Sequence, residues 1–537
     1  MHISDDSDFT NIYLGDIIVM KKLIIVLVCL CIVPALADAG FRPKTYICYR
    51  ASGPIVIDGR LDEGSWLRAP ETDLFVDIEG DRQPLPWFGT RVKLVWDDEY
   101  LYCGAMLEDT NIWGSMTGRD VLVCRDDNDF EVFIDIDDDG RWYYEFEMNA
   151  LNTIYDLVRA NKYARLEIEW DFEGIKTAVH FDGTLNNRED IDRAWYCEIA
   201  FPMKALAEYA GTMPVPPHDG DVWRIDFPRV QYYFDDTSKN MQKVPGTRAQ
   251  NWVWSPPLVI NNHWIEALGY MRFSTVAVGV QVDSEDALEF DRPFLTVDPG
   301  TRKKVKPGAM TLIPGGEFTL GPDPLDPETS PAHTVKVESF YMDTYEVTIA
   351  EYAAFLNDVK NDDYYCQHMA HYDCGIVKNA DGSYNVSPGR GEYPIVYVDM
   401  KDAEAYAAWA GKRLPTEAEW EYACRFNDGR TQPWGSEELS PERCNFNYLY
   451  GGTLPVGSLP KGVSGKGLHD MAGNVWEMCA GEFKRYPGGK SVYDFTPTSV
   501  YRGGSWATPP KVVHASVREL RSQRTPFVGF RCARSGK

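Results

Sequence analysis

The pattern of this chain changes once, near its middle, and that change sets what it can fold into. Up to about residue 275 the sequence is a series of short β-prone runs broken by acidic turns. Arg91-Val92-Lys93-Leu94-Val95-Trp96 turns at Asp97-Asp98 and leads into Leu101-Tyr102-Cys103-Gly104-Ala105. Phe130 to Asp135 breaks at Asp137-Asp138-Asp139-Gly140, a hairpin signal, and Arg141 to Met148 returns with Trp142, Tyr143, Tyr144 and Phe146. That spacing, with little helix, predicts an all-β sandwich over residues 41–275. After Met310 helices with readable starts take over. Thr348-Ile349-Ala350-Glu351 and Thr416-Glu417-Ala418-Glu419 are capping boxes, in which hydroxyl and carboxylate satisfy backbone N–H groups at a helix start. A helix from about Lys401 to Trp409 ends at Gly411, a residue suited to a left-handed cap. Residues 276–308 carry Asp283-Ser284-Glu285-Asp286, Pro293, Pro299-Gly300 and the basic run Arg302 to Lys306, and read as a linker. A length of 537 residues allows two or three domains, since one core rarely grows beyond about 250–300 residues. The second domain is expected over 309–537.

The charge balance narrows the partners. A net charge of −27 and a pI near 4.8 repel phosphate backbones, which excludes nucleic acid. The same surface suits an exported protein that meets neutral polysaccharide or divalent cations. Met20-Lys21-Lys22, the apolar run Leu23 to Pro34, and Ala35-Leu36-Ala37 form the three parts of a secretory signal over residues 20–37. The apolar run is too short to favour a membrane span, and no later segment approaches one. The expected start is Met20, the expected mature end lies near Asp38, and the expected location is secreted or periplasmic.

Export permits disulfides. Twelve cysteines occur, and Cys29 and Cys31 fall in the signal run. Cys103 and Cys124 lie in strand-like apolar runs and read as buried small hydrophobes. Cys366 and Cys374 flank His368 and His371, but that spacing matches no standard zinc site closely, so a disulfide is the expectation there.

Ile55-Val56-Ile57-Asp58-Gly59-Arg60-Leu61-Asp62-Glu63, Trp66, Trp96 to Tyr102 and Asp129 to Asp135 form a distinctive set. With Trp195 to Pro202 and Trp254-Ser255-Pro256-Pro257, they resemble a family 9 carbohydrate-binding module over most of residues 45–275. Sugar binding needs flat apolar faces for the pyranose C–H surface and polar groups for its hydroxyls. The resemblance implies that a terminal sugar lies between two tryptophans. One of those positions is Trp254, and the other falls near Arg125. It also implies a sugar-binding carboxylate at Glu131, while a sugar-binding arginine of the family falls on Glu147. Two alternatives stay open. Trp252, Trp254 and Trp264 are core or rim aromatics without a ligand, or a glycan uses relocated aromatics such as Trp87 or Trp113.

From Met310 to Phe318, through Tyr345-Glu346-Val347-Thr348 and Trp409 to Tyr422, to Pro433-Trp434-Gly435, a second resemblance is nearly continuous. Tyr501-Arg502-Gly503-Gly504-Ser505-Trp506 and Gly529-Phe530-Arg531-Cys532 complete it. These runs resemble the formylglycine-generating enzyme (sulfatase-modifying factor) family, which implies an α+β variant of the C-type lectin fold. The resemblance implies calcium bound by side chains of Asp470 and Glu477 and by backbone carbonyls of Gly473 and Val475, hard oxygen donors of the kind Ca²⁺ prefers. The family's other calcium site, beginning at Asn445-Phe446, has a shortened loop that lacks its aspartate. Oxidase members bind copper with two cysteines that here are Thr508 and Val513. Soft Cu(I) selects soft sulfur, so copper is not expected, and neither is a catalytic residue. His514 near that position reads as a surface histidine.

The reading that follows is an exported protein recognising an extracellular or cell-surface glycan, with a protein partner as an alternative. Three other readings stay open: an accessory to polysaccharide catabolism, a divergent sulfatase-activating oxidase using other ligands, and a diversified display protein varying between Ala507 and Phe527.

Overall fold

The computed structural model describes residues 40–536, apart from 161–165, 236–241, 245–246, 248, 281–291, 299–305, 323–328, 372, 426–427, 490–498 and 522. The secretory segment 20–37 and most of the charged runs of the linker lie outside the described residues.

The first domain is built on strands β1 (Thr45–Arg50), β2 (Thr90–Trp96), β3 (Tyr100–Glu108), β4 (Asp129–Asp135), β5 (Trp142–Asn149), β6 (Ala194–Pro202), β7 (Val222–Asp226), β8 (Pro228–Gln231), β9 (Gln250–Val253) and β10 (Gly269–Ala277). Their hydrogen-bonded order is β9-β8-β4-β7-β10-β1-β2-β3-β6, with β5 pairing to the side of β4. Strict alternation explains the core: Phe130, Val132 and Ile134 of β4 and Phe146 and Met148 of β5 pack with Leu94, Trp96, Cys103 and Trp223. The other face of β4 is polar yet buried, carrying Asp129, Glu131 and Asp135. A sheet face of that kind needs partners, because burying an unpaired charge is costly. Residues 258–268 supply part of the cover, with Ile265 and Leu268 packed on Phe133 and Tyr143.

In the second domain, helices α1 (Ile349–Val359), α2 (Met400–Trp409) and α3 (Glu417–Arg425) are surrounded by short sheets and long loops. Both expected capping boxes form: Thr348 caps α1, and Thr416 and Glu419 exchange the same bonds at α3. Asp399 and Asp402 form a third box at α2. Strands β11 (Trp476–Glu482) and β12 (Ser499–Arg502) carry much of the core and pair antiparallel. Two arginines of the C-terminal runs, Arg502 and Arg531, are interior ions. Arg502 pairs with Glu417 and Glu421, and Arg531 donates Nε and Nη2 to the two oxygens of Glu477 at 2.6 Å each.

The ten described cysteines are all unpaired thiols, so the expected Cys366–Cys374 disulfide is not formed. Their sulfurs instead point at backbone carbonyls, Cys366 at Tyr397 and Cys374 at Val396. Cys124 also departs from expectation. It sits in a 3-10 turn, Val123–Arg125, and is only partly buried.

Candidate functional sites

An aromatic cleft of about 350 Å³ opens on the first domain beside β8. Trp87 and Tyr233 lean together, with ring centroids 4.8 Å apart and planes at 38°, and each is more than two-fifths exposed. Trp252 stands edge-on behind Trp87 at 4.7 Å and is itself buried. The result is one open apolar platform held from behind. Its polar wall is Asp109, Asn111 and Gln231. Buried Arg229 donates Nε and Nη2 to Gln231 Oε1 at 3.2 and 2.8 Å, which fixes how that amide faces the cleft. Asp109 accepts from the Asn111 backbone N–H at 2.9 Å, and burial raises its pKa against the opposing pull of Arg229. Asn111 Oδ1 is buried behind this wall without a hydrogen-bond partner. Exposed rings beside fixed polar groups are what a sugar ring requires. Trp87 was one of the relocated aromatics the sequence pointed to, while Tyr233 and Asn111 carried no motif that could mark them.

The residues carried over for sugar binding lie elsewhere. Trp254 is 1% exposed, edge-on to Tyr46 and packed near Phe227, a position in which its indole offers no face to a ligand. Its burial follows from β9 running straight into the core. Glu131 is likewise buried, and Asn262 Nδ2 lies 3.5 Å from its Oε2. Trp264 is a contact between the domains, stacked on Phe527 at 4.9 Å and 22°.

Thr508 and Val513 do converge. A Cβ built at Gly504 would touch the side chains of both, and both are fully buried. Thr508 Oγ1 accepts from the Ser505 N–H at 2.9 Å and donates at 3.1 Å to Oε1 of Glu266, which comes from the first domain. Tyr448 donates its hydroxyl to the Glu266 carbonyl at 2.7 Å, so this lid is pinned on two sides. Cys444 shares an apolar cluster with Val513 and is the thiol nearest in kind, with burial pushing its pKa up. Thr508 and Val513 present a hydroxyl and an isopropyl group, neither of them the soft sulfur that Cu(I) selects. His514 Nε2 lies 2.7 Å from the Lys511 carbonyl. Ala507, Thr508, Val513 and Phe527 are all buried, so much of the Ala507–Phe527 window faces the interior or the first domain.

Near Asp470 the donors are mixed. Asp470 has left-handed backbone and accepts the Gly457 N–H at 2.6 Å. Glu477 holds Arg531 with both oxygens and accepts Trp420 Nε1 at 2.7 Å. Glu346, which the sequence left without a role, joins them. Its Oε2 accepts from Asn474 at 2.8 Å, while Oε1 is buried with no partner. Burial first, then the charges of Asp470 and Glu477, raise the Glu346 pKa. Three carboxyl groups thus gather near one guanidinium, that of Arg531. Gly473 is required here, since a Cβ would meet the Asn445 carbonyl oxygen at 2.1 Å.

An all-β sandwich is thus joined to an irregular α+β domain rich in buried ion pairs. Family models assign residues 57–215 to the carbohydrate family 9 binding domain-like group and residues 296–536 to the sulfatase-modifying factor enzyme 1-like domain. The chain is 34% identical to the formylglycine-generating enzyme of Streptomyces coelicolor over 300 residues, covering 45% of this chain and 94% of that one. It is 35% identical to hercynine oxygenase of Mycolicibacterium smegmatis over 261 residues, covering 42% of this chain and 61% of that one. Among solved structures, a family 9 module of Caldicellulosiruptor kristjanssonii in complex with cellotriose matches at 14% identity and a TM-score of 0.29, over 45% of this chain and 98% of that one. The chain belongs to the formylglycine-generating enzyme, or sulfatase-modifying factor, family, and carries a family 9 carbohydrate-binding-like domain ahead of that module. Among the described residues no helix is long and apolar enough to cross a membrane.

Proposed function

We propose that this chain is an exported glycan-recognition protein that reads sugar on the Trp87–Tyr233 platform, and that its second domain is a scaffold without oxidase activity. The exposed pair of rings beside the fixed Gln231 amide is the observation that carries the reading. A pyranose C–H face lies on the rings, and Gln231, fixed by Arg229, orients a hydroxyl. The recognition of neutral sugars accords with an acidic chain and with the Asp109 carboxyl on the wall. A glycan array with the full chain tests it: at least one glycan is retained by the native protein and lost in Trp87→Ala, and an array blank for the native protein contradicts it. Export is checked by sequencing the N-terminus of secreted protein, expected near Asp38; cytoplasmic protein that keeps residues 20–37 contradicts it.

The scaffold reading is supported by Thr508 and Val513 and by the Glu266 contact that closes over them. Calcium is the cofactor proposed for this domain. Asp470 and the open oxygen of Glu346 supply charge, and Gly473 and Val475 supply carbonyls, all hard donors. Glu477, committed to Arg531 and Trp420, joins only by releasing one of those bonds.

A further inference from the structure

The pairing of β4 with β5 sets Glu131 directly opposite Glu147. Like charges so opposed are destabilising even at a surface. Here both are buried, at 3% and 1% exposure, and among the described residues neither forms an ion pair. Two residues away on β5, Glu145 pairs with Arg159 and lies 3.8 Å from His263. The turn Val123–Arg125 then brings a third donor to the same place. Cys124 gives its backbone N–H to Glu147 Oε2 at 3.3 Å, and one ligand atom from each of Cys124, Glu131 and Glu147 lies within 4.8 Å of the other two. That separation accommodates one ion at about 2.3 Å from sulfur and about 2.0–2.2 Å from each oxygen. Asn262, whose Nδ2 touches Glu131, keeps a buried Oδ1 without a hydrogen-bond partner at the edge of the cluster.

We propose that Cys124, Glu131 and Glu147 bind one divalent transition-metal ion of the zinc class. One sulfur and two carboxylate donors suit zinc or cobalt, whereas Ca²⁺ and Mg²⁺ take oxygen alone. Three protein donors leave a fourth position open. Without an ion, burial together with neighbouring carboxylates pushes up the Cys124 thiol and both glutamic acids, so each tends to hold its proton. Binding displaces the Cys124 proton and any carboxyl proton to solvent, and affinity therefore falls as pH falls. The glycan reading is independent of this one, although the two sites adjoin. Tyr232, on the wall of the cleft, donates its hydroxyl to the Cys124 carbonyl at 2.6 Å, so an ion would steady the turn behind that wall.

The test is a cobalt(II) titration of the reduced, chelator-treated full chain. The expected result is one equivalent bound with a thiolate-to-cobalt charge-transfer absorption, absent in Cys124→Ser and lost or weakened at least about tenfold in Glu147→Gln. Zinc should abolish the band and shield Cys124 from alkylation, read by peptide mass. Should Cys124→Ser fail to fold, Glu147→Gln serves, since its amide oxygen can still accept the Cys124 N–H. No absorption, an absorption unchanged in both variants, or equal alkylation of Cys124 with and without zinc overturns the proposal.

Discussion

Thr508 and Glu266 come from different domains and meet by a single hydrogen bond. The Thr508 hydroxyl donates to the Glu266 carboxylate, which joins the two domains at this position. Trp254 shows the opposite case: the residue type was kept, but its environment is core. Residue identity was legible in both instances, and burial was not, because exposure depends on where strands from distant sequence come to lie. Asp226 allows a test at this scale. It is buried, and burial pushes its pKa up from 3.8 to about 8 despite the Ser255 N–H bonded to it. Between those values the folded chain keeps a proton that the unfolded chain has released. The stabilisation is therefore complete below about 3.8 and is lost as pH rises through about 8. The melting temperature should fall as pH is raised across that window, and Asp226→Asn should flatten the fall; an identical pH profile in the variant contradicts the assignment.

Elements with local rules were read well from sequence. The caps of α1 and α3 need only residues three apart, and both form as expected. Strands β2 to β5 follow from apolar runs and acidic turns. The Val123–Arg125 turn did not, because a short apolar run looks the same in a strand and in a turn held by tertiary contacts. The Cys366–Cys374 pairing failed for a related reason: an even count says nothing about where sulfurs point. Around Asp470 the motif marked the segment, but Glu346 reaches it from a loop more than a hundred residues earlier. Calcium bound there only in the folded state should stabilise by about 2.7 kcal/mol at a hundredfold excess over its Kd. A calcium-selective chelator should therefore lower the melting temperature, with recovery on adding Ca²⁺ but not Zn²⁺, and Glu346→Gln should shrink the effect. An unchanged melting temperature with no calcium by elemental analysis contradicts the site.

For the whole molecule, the two domains share polar and stacking contacts well beyond one bond. Arg82 pairs with Asp373 at 2.8 Å, Glu79 lies 3.2 Å from His368, Tyr270 donates to Asn447 at 3.0 Å, and Trp264 stacks on Phe527. His368 and His371, considered for zinc, face acidic groups of the first domain and of their own loop instead. The two-domain plan was legible from the change of pattern; the mutual cover was not, since interfaces leave no local periodicity. Closure over Thr508, together with the missing thiolates, predicts that copper-loaded protein leaves a Cys-x-Pro-x-Arg sulfatase peptide unoxidised. Turnover of that peptide with stoichiometric copper would show that other residues have taken over the site. The central claim is recognition of sugar at the Trp87–Tyr233 platform, and calorimetry of the full chain with its best array glycan tests it most directly. Trp87→Ala and Tyr233→Ala should each raise Kd about tenfold or more, near 1.4 kcal/mol, at unchanged fold. Equal affinity in the native protein and in both variants would contradict it.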